Sequence, residues 1–276
     1  MNDDAGIGSI GLYTNLDRIA NGLASLGIGP ADSLSPEQLF PLDQWHYHGT
    51  AAIDAAAAAL GLGPESRVLE VGSGIGGPAR YLAHAIGCRV SALELQPKVH
   101  AIAADLTRRC GLDGRVTHLC GDALSYPLPP AGFDAAVSWL AVLHISDRPR
   151  LLTRIARALR PGGGCCLEDF SIRAPLEAAD LRDLRDIVFG ITVTSTEAYV
   201  ADLGAAGFAD IECTDMTNEW TPFVTARLQA WRANRGAYAR AHGEAAYAAQ
   251  DRFYAAVARL FESGRLGGVR VVAHAP

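Results

Sequence analysis

Basic charge is in short supply in this sequence. The 276 residues include 24 lysines and arginines against 30 aspartates and glutamates, which gives a formal net charge of −6. Because a nucleic-acid interface needs a surplus of basic charge on one face, we expect no nucleic-acid partner. No apolar run reaches the roughly 18–20 residues that a bilayer requires, so we expect no membrane partner either. The opening run MNDDAGIGSI carries acids where a secretory signal carries basic residues, which favours a cytoplasmic location.

The spacing typical of metal sites is also missing. The six cysteines follow no CxxC or zinc-like pattern, so we expect reduced thiols. The run DQWHYHGT (43–50) contains His46 and His48, but only Asp43 lies nearby to add a further ligand. The run SWLAVLHIS (138–146), which follows the fourth predicted strand, has no acidic residue to bind a divalent cation. The sequence therefore predicts no metal.

Apolar residues are plentiful: 49% of the chain is hydrophobic and 20% is charged. This composition is typical of a well-packed globular domain. From residue 66 onward, short β-branched runs alternate with helical stretches, which is typical of a parallel sheet with crossover helices. The predicted strands lie at 66–72, 88–95, 115–123, 133–145, 164–170, 209–217 and 268–276. The fold class is therefore predicted as α/β, with a Rossmann-like, seven-stranded, mostly parallel sheet and helices on both faces.

Two regions fall outside this alternation. Residues 1–62 are predicted to form an N-terminal helical lid, in which Thr50 begins the last helix as its cap. Residues 63–276 form the main domain, with helical cap insertions at about 171–195 and 217–265. We expect the lid and the insertions to cover the carboxyl ends of the strands, where open α/β sheets bind ligands.

A glycine-rich loop follows the first predicted strand. In the run LEVGSGIGG, Gly72, Gly74 and Gly76 allow a sharp turn and a close approach of the backbone to a ligand. Glu94 ends the second strand, where a carboxylate can accept both hydroxyls of a ribose. Asp122, in the GDA that ends the third strand, can accept a hydrogen bond from an adenine amino group. A nicotinamide dehydrogenase is the alternative, although it would need the third glycine of a GxGxxG spacing.

With these residues in place, the chain resembles the class I S-adenosylmethionine (SAM)-dependent methyltransferases of small-molecule type over about residues 42–213. The matching runs are VLEVGSGIGG, ALEL, GDAL, FDAAVSWLAVLHI and RALRPGGGCCLEDF. The resemblance implies SAM as the methyl donor and no metal, with the glycine loop facing the methionine part of SAM. The cofactor-binding residues expected on this basis are Glu70, Gly72, Ser73, Gly74, Gly76, Glu94, Leu95, Asp122, Ala123, Leu124 and Trp139.

His144 is the first candidate catalytic residue. Similar small-molecule methyltransferases carry histidine at this position, and a neutral imidazole can take a proton from a hydroxyl or an ammonium. The alternative is a structural role, in which the His144 imidazole hydrogen-bonds a backbone carbonyl and shapes the loop; the sequence favours neither role over the other. Tyr47 is the second candidate, because in the resembling families the turn at 45–50 closes over SAM and the substrate.

Five further residues are candidates for substrate binding. Trp45, His46 and His48 surround Tyr47 in the predicted lid. Asp169, at the end of the fifth predicted strand, is expected to hold a substrate ammonium, and Arg173 is expected to pair with a carboxylate. A helix-start aspartate and a solvated arginine are the alternative for this last pair.

Two enzymatic functions follow from the resemblance. The first is methylation of N or S on a small polar metabolite, such as an amine, an amino acid or a thioether like methionine. The alternative is an O-methyltransferase acting on a natural-product, sugar or phenolic hydroxyl. A SAM-binding protein without transferase activity is a third hypothesis, from a different class. In each enzymatic case the expected partner is a small-molecule substrate, and a homodimer is compatible with the sequence.

Overall fold

The structure is a computed structural model that describes residues 16–276, so the first 15 residues of the predicted lid lie outside it. The strands within this range are β1 (Arg67–Val71), β2 (Arg89–Glu94), β3 (Val116–Cys120), β4 (Phe133–Trp139), β5 (Leu159–Ile172), β6 (Ala209–Asp215) and β7 (Leu266–His274). They form one sheet in the order β3-β2-β1-β4-β5-β7-β6. The strands β1 to β5 pair in parallel, whereas β7 runs antiparallel to both β5 and β6. The predicted seven-stranded, mostly parallel sheet is confirmed.

Helices connect the strands and cover both faces of the sheet. The α-helices within the described range are α1 (Asp17–Ser25), α2 (Pro36–Asp43), α3 (Thr50–Ala59), α4 (Gly77–Tyr81), α5 (Pro97–Arg109), α6 (Arg148–Ala158), α7 (Ala178–Asp183), α8 (Thr196–Ala205), α9 (Thr217–Ala233), α10 (Arg235–His242) and α11 (Glu244–Glu262). Each of α4 and α7 continues into a short π-helical turn, Leu82–Ile86 and Leu184–Val188 respectively. None of the helices in residues 16–276 is long and apolar enough to cross a membrane.

Alternation along the strands divides the core into two layers. Val68 of β1 packs with Ile53 of α3 on one face of the sheet. The next residue, Leu69, packs on the opposite face with Ile155 of α6 and Leu203 of α8. Because successive side chains of a strand point to opposite faces, an almost continuous apolar run can fill both layers. This pattern explains why the central strands read as apolar runs in the sequence.

A third apolar cluster joins the cap to the sheet. The two predicted insertions carry α7 and α9–α11. Side chains of α9, of α11 and of the π-helical turn after α7 form a cluster that contains Trp220 and Phe261. Tyr47, from the segment between α2 and α3, belongs to the same cluster, as does Phe170 of β5. The cap therefore rests on the sheet and on the segment before α3. The division into a lid of residues 1–62 and a main domain stays a prediction.

The helix α6 ends at Ala158, because Leu159 already pairs with Phe133 as the first residue of β5. One local expectation needs correction. Thr50 is not the cap residue of α3 but its first helical residue. Gly49 occupies the cap position with a φ of 53°, a left-handed conformation that glycine adopts readily.

Candidate active site

Two adjoining cavities open where β1, β2 and β4 end. The larger, with a volume of about 820 Å³, is lined partly by α9 and α11 and is called the cap cavity here. The smaller, about 530 Å³, lies at the ends of β2 and β3 and is called the strand-end cavity. Gly72 and His144 line both, so the two cavities meet at these residues.

Most of the predicted site residues line one of these cavities. The cap cavity is lined by Trp45, His46, Tyr47, Glu70, Gly72, Ser73, Gly74, Trp139 and His144. The strand-end cavity is lined by Gly72, Glu94, Leu95, Asp122, Ala123 and His144. The predicted residues that line neither are Gly76, Leu124, His48, Asp169 and Arg173. The glycine loop and the ends of β2 and β3 are therefore brought together as the resemblance implied.

The glycine loop packs too tightly for side chains at two of its positions. Gly72 has a φ of 72°, and a Cβ added there would lie 2.2 Å from the Cβ of Ala141. A Cβ on Gly76 would lie 2.7 Å from Cε1 of His118. Packing against His118, rather than contact with a ligand, therefore accounts for a glycine at this position. Gly74 faces open space, and its N–H donates to Oε2 of Glu94 over 3.0 Å. The loop is thus fixed around the cavity wall.

Glu94 is held at the strand-end cavity by backbone hydrogen bonds. Its Oε2 accepts from the N–H of Gly74, and its Oε1 accepts from the N–H of Gln96 over 2.8 Å. The side chain is buried, and burial raises the pKa of Glu94. Each carboxylate oxygen keeps a second lone pair, so the group can still accept hydrogen bonds from two neighbouring hydroxyls.

Asp122 also lines the strand-end cavity. Its Oδ1 accepts from the N–H of Leu124 over 2.8 Å, which fixes the turn after β3. The residue is exposed, so its remaining lone pairs are free to accept from a ligand. Leu124 contributes its backbone to this turn and does not line the cavity. Together, Glu94 and Asp122 give the cavity two carboxylates suited to a ribose and an amino-substituted base.

Several buried polar atoms at the cap cavity have no hydrogen-bond partner within residues 16–276. They are Glu70 Oε2, Ser73 Oγ and Trp139 Nε1. Buried polar groups are almost always hydrogen-bonded, so an orphaned cluster beside a cavity indicates a polar ligand. Burial also raises the pKa of Glu70 to about 8. These three polar groups fit the methionine end of SAM, and the carboxylate of Glu94 fits the ribose of its nucleoside end.

His144 lies where the cavities meet, in the 3₁₀ turn Val142–His144 after β4. Its Nδ1 lies 2.8 Å from the carbonyl oxygen of Phe189, so this nitrogen carries the hydrogen and donates. Burial lowers the pKa of His144, which favours the neutral ring. Nε2 has no partner among the described residues and retains its lone pair. The carbonyl contact and a free basic nitrogen therefore coexist in one side chain.

The run that contains Trp45, His46 and Tyr47 lines the cap cavity. His46 stacks on Trp139 with ring centroids 5.5 Å apart, and its Nε2 lies 3.0 Å from the carbonyl of Gly49. Burial lowers the pKa of His46 to about 4, so its ring is neutral at pH 7. The Tyr47 ring packs edge-on against Trp220, with ring centroids 4.9 Å apart.

His48 lies outside the cavity and packs on Phe223, with ring centroids 4.8 Å apart. Its backbone has a φ of 58°, so the chain turns away from the cavity between Tyr47 and α3. No group of three or more potential metal ligands is found among residues 16–276. His46 and His48 therefore have separate surroundings, in spite of their closeness in sequence.

Asp169 and Arg173 do not lie at the site predicted for them. The strand β5 continues to Ile172, and alternation turns Phe170 rather than Asp169 toward the cap cavity. Asp169 is buried on the other side, where burial raises its pKa to about 7. Arg173 donates to Asp215 over 2.6 Å at the surface. The expected ammonium and carboxylate contacts from this pair are corrected accordingly.

No motif in the sequence indicates the part of the site that comes from the cap. Arg227 of α9 and Phe253 and Tyr254 of α11 line the cap cavity. These residues lie in amphipathic helices with no motif, so their position depends on how the cap packs. Arg227 places its guanidinium over Phe223, 4.7 Å from the ring centroid, and donates to the carbonyl of His46 over 3.1 Å.

A doubly wound sheet with a glycine loop, two strand-end carboxylates and a covered cavity defines a nucleoside-binding α/β protein. Residues 68–163 match the family model described as a methyltransferase domain. By this match the chain is similar to the class I SAM-dependent methyltransferases. SAM is the cofactor of this family, and the orphaned polar atoms and carboxylates at the two cavities fit it.

The curated relatives include enzymes with different acceptors. The sarcosine/dimethylglycine N-methyltransferase of Halorhodospira halochloris is 32% identical over 163 residues, which are 57% of this chain and 57% of that protein. The 27-O-demethylrifamycin SV methyltransferase of Amycolatopsis mediterranei is 32% identical over 180 residues, 64% of this chain and 66% of that protein. The matched part is thus less than two thirds of the length of either relative.

Solved structures with the same fold extend the comparison over the whole chain. Phosphoethanolamine N-methyltransferase 2 of Haemonchus contortus, solved with phosphomonomethylethanolamine and S-adenosylhomocysteine, has a TM-score of 0.79 and 22% identity, and the match covers 96% of this chain and 58% of that one. A [4+2]-cyclase has a TM-score of 0.71 and 25% identity over 97% of both chains. The fold is shared by proteins whose named activities differ.

Proposed function

We propose that the protein transfers a methyl group from SAM to N or S of a small polar metabolite. The observation that carries this proposal is the junction of the two cavities at Gly72 and His144. A donor held along the strand-end cavity would extend past the junction into the cap cavity, where an acceptor would lie beside it.

The residues that would hold SAM follow from the geometry. Glu94 would accept from the ribose hydroxyls and Asp122 from the adenine amino group, while Glu70 and Ser73 would face the methionine end. When bound, SAM supplies a methyl group on a positively charged sulfur. Trp139 and Tyr47 present aromatic surface to the cap cavity, and such surface stabilises a desolvated cation by up to about 2 kcal/mol.

The side chains around the acceptor have two tasks, orientation and exclusion of water. Phe170, Phe253 and Tyr254 wall the cap cavity with rings, so an acceptor there would be largely shielded from solvent. Holding reactants in line at near-attack distance contributes several kcal/mol, about 7–11 in the best cases. An amine or thioether acceptor then needs only its lone pair directed at the junction, and His144 would take up a proton released by an ammonium.

A hydroxyl acceptor is the second candidate function, and His144 is the observation that favours it. A hydroxyl must lose its proton during transfer, and the unpartnered Nε2 is a neutral base at the cavity junction. The 27-O-demethylrifamycin SV methyltransferase among the relatives is named for an acceptor of this kind. The two candidates differ in their dependence on His144, because a hydroxyl acceptor needs a base and a thioether acceptor has no proton to lose.

The experiment that tests methyl transfer uses SAM with a deuterated methyl group. The full chain is incubated with a small-molecule extract, and products that gain the labelled methyl are sought by mass spectrometry. A labelled metabolite supports the proposal, and its fragmentation identifies N, S or O as the acceptor atom. Labelled RNA or protein in a parallel incubation with the macromolecular fraction, with no labelled metabolite in the small-molecule extract, would contradict it.

A variant of Glu94 separates donor binding from transfer. In Glu94→Gln the amide must direct an N–H group at one of two backbone N–H donors, so we expect SAM affinity to fall about tenfold or more. Titration calorimetry with SAM measures this directly. Normal SAM binding by the parent with no labelled product from any extract fraction would favour a SAM-binding protein without transferase activity. A homodimer and a cytoplasmic location stay predictions.

A further inference from the structure

Arg227 is a cation at the wall of the cap cavity with no carboxylate partner among residues 16–276. Its guanidinium lies over three aromatic rings, with centroid distances of 4.7 Å to Phe223, 5.1 Å to Tyr47 and 5.8 Å to Tyr254. One Nη2 hydrogen bond, to the carbonyl of His46 over 3.1 Å, fixes the head group. Of the five N–H donors of a guanidinium, most therefore remain available to a ligand.

The neighbouring arginines of the cap differ from Arg227 in this respect. On the same helix, Arg232 forms a two-point contact with Asp251, with Nε 2.9 Å from Oδ1. Arg259 of α11 pairs with Asp180 over 2.6 Å. Both arginines lie outside the cavity. Acidic residues of the cap thus neutralise these two surface arginines, whereas none of the described acidic residues pairs with the cavity arginine, Arg227.

The acids of the cap cavity do not neutralise Arg227 either. Asp43 is committed to Arg80, whose Nη2 lies 2.9 Å from Oδ2, and both side chains are fully buried. Glu70 is the other acid at the cavity wall, and burial raises its pKa to about 8, so it is largely protonated at pH 7. No ion pair links either acid to Arg227. The cap cavity therefore presents one positive charge in an aromatic setting.

We propose that Arg227 binds an anionic group of the acceptor, so that the substrates are small metabolites that carry a carboxylate or a phosphate in addition to the methylated atom. The inference rests on the proposed function and specifies its substrate class. A guanidinium binds both anions through a planar, two-point contact, and partial burial strengthens such a charge-assisted bond. The rings beside it fix the guanidinium plane before the anion arrives, which reduces the ordering cost of binding.

The carboxylate of SAM itself is a competing occupant, and the experiment separates the two. Arg227→Met removes the charge but keeps an apolar stem on the rings, and Arg227→Lys keeps the charge without the two-point contact. Arg232→Met is the matched control on the same helix, outside the cavity. For each variant we would measure the melting temperature, the Kd for SAM and the rate of labelled-methyl transfer to the extract acceptor.

We expect Arg227→Met to lower kcat/KM by about 10–100-fold, with the loss mainly in KM, and to leave the Kd for SAM unchanged. Arg227→Lys should lie between the parent and Arg227→Met, and Arg232→Met should match the parent. An equal loss of SAM affinity in Arg227→Met would assign the arginine to the donor and overturn the proposal. An acceptor whose mass-spectrometric fragmentation shows neither a carboxylate nor a phosphate would also overturn it.

Two treatments of the acceptor fraction distinguish the source of the anion. Alkaline phosphatase should abolish acceptor activity if the anion is a phosphate monoester, whereas methyl esterification should abolish it if the anion is a carboxylate. Resistance to both treatments would contradict an anionic substrate.

A binding experiment keeps the inference testable if no methylated product is found at all. Acetate and inorganic phosphate are titrated into the parent and into Arg227→Met, each saturated with S-adenosylhomocysteine. Binding of either anion by the parent and its loss in the variant would support the subsite while the proposed transfer fails. Equal binding, or none by the parent, would overturn it.

Discussion

His144 donates its Nδ1 hydrogen to the carbonyl oxygen of Phe189 over 2.8 Å, and this contact joins the loop after β4 to the cap. Phe189 follows the π-helical turn Leu184–Val188 and has a φ of 58°, an uncommon conformation for a residue with a side chain. The strained backbone presents its carbonyl to the ring. The contact fixes the tautomer, because a neutral imidazole that donates through Nδ1 keeps the lone pair on Nε2.

The substitution His144→Asn tests the role of that lone pair. An asparagine amide can donate to the Phe189 carbonyl in place of Nδ1, but it offers no base. We expect kcat/KM for a hydroxyl acceptor to fall about 10²–10⁴-fold, while a thioether acceptor, which has no proton to lose, keeps its rate. Comparable rates of parent and variant on a hydroxyl acceptor would refute the assignment of the base.

The pH profile of the parent provides a second test of His144. Burial lowers the pKa of His144 below its ordinary value of 6.5, and only the neutral ring can accept a proton. For a hydroxyl acceptor, kcat/KM should therefore rise with pH through a pKa below 6.5 and level off by neutrality. His144→Asn should flatten this rise. A rise centred above pH 7 in the parent would contradict the neutral base.

The substitution Gly72→Ala tests the close packing of the glycine loop. The added Cβ would lie 2.2 Å from that of Ala141, and the residue would also be forced to keep a φ of 72°. We expect a loss of about 1–3 kcal/mol in the free energy of unfolding, measured by urea denaturation, and weaker SAM binding.

Two controls separate the collision from the backbone strain. Gly111→Ala imposes a similar strain, with a φ of 65°, but has no atom within 4 Å of the added Cβ, so it should cost less and spare SAM binding. The double variant Gly72→Ala, Ala141→Gly removes the collision and should recover part of the loss. If the double variant is no better than Gly72→Ala alone, the steric explanation fails.

Tyr47→Phe tests whether the phenol contacts a ligand. The substitution keeps the ring against Trp220, and the hydroxyl makes no hydrogen bond within the described residues, so the free energy of unfolding should change by less than about 1 kcal/mol. Turnover should fall about 3–10-fold if the hydroxyl bonds a ligand. Tyr199→Phe is the control, because that hydroxyl is buried without a partner and lines neither cavity. An unchanged rate in Tyr47→Phe would remove Tyr47 from the site.

The buried pair of Asp43 and Arg80 should dominate the stability of the segment that leads into the site. Asp43→Asn leaves a fully buried guanidinium without its counter-charge, so we expect a loss of about 3–5 kcal/mol in urea denaturation. The double variant Asp43→Leu, Arg80→Met should be close to the parent. The exposed pair of Arg235 and Glu244 is the control, and Glu244→Gln should cost less than about 1 kcal/mol. Equal losses in both single variants would contradict this account.

The sheet and the strand-end side of the candidate site were predictable because their signals are local. The glycine loop, Glu94 and Asp122 follow strands that read as apolar runs, and parallel strands bring their carboxyl ends to one edge. The prediction for Asp169 was wrong because the sequence does not show which face of the sheet each residue at the end of β5 points to. Asp169 and Phe170 are adjacent in sequence, and only the observed end of β5 shows which of them faces the cavity.

The sequence by itself determined the α/β class, the seven strands and the positions of the glycine loop, Glu94 and Asp122 at the strand ends. These features depend on hydrophobic periodicity and on motifs a few residues long. Only the tertiary structure decided what faces the acceptor. His144 acquires its tautomer from Phe189, 45 residues away, and Arg227 reaches His46 across 181 residues. Such contacts depend on how the cap packs on the sheet, and packing of amphipathic helices leaves no short motif from which their partners can be deduced.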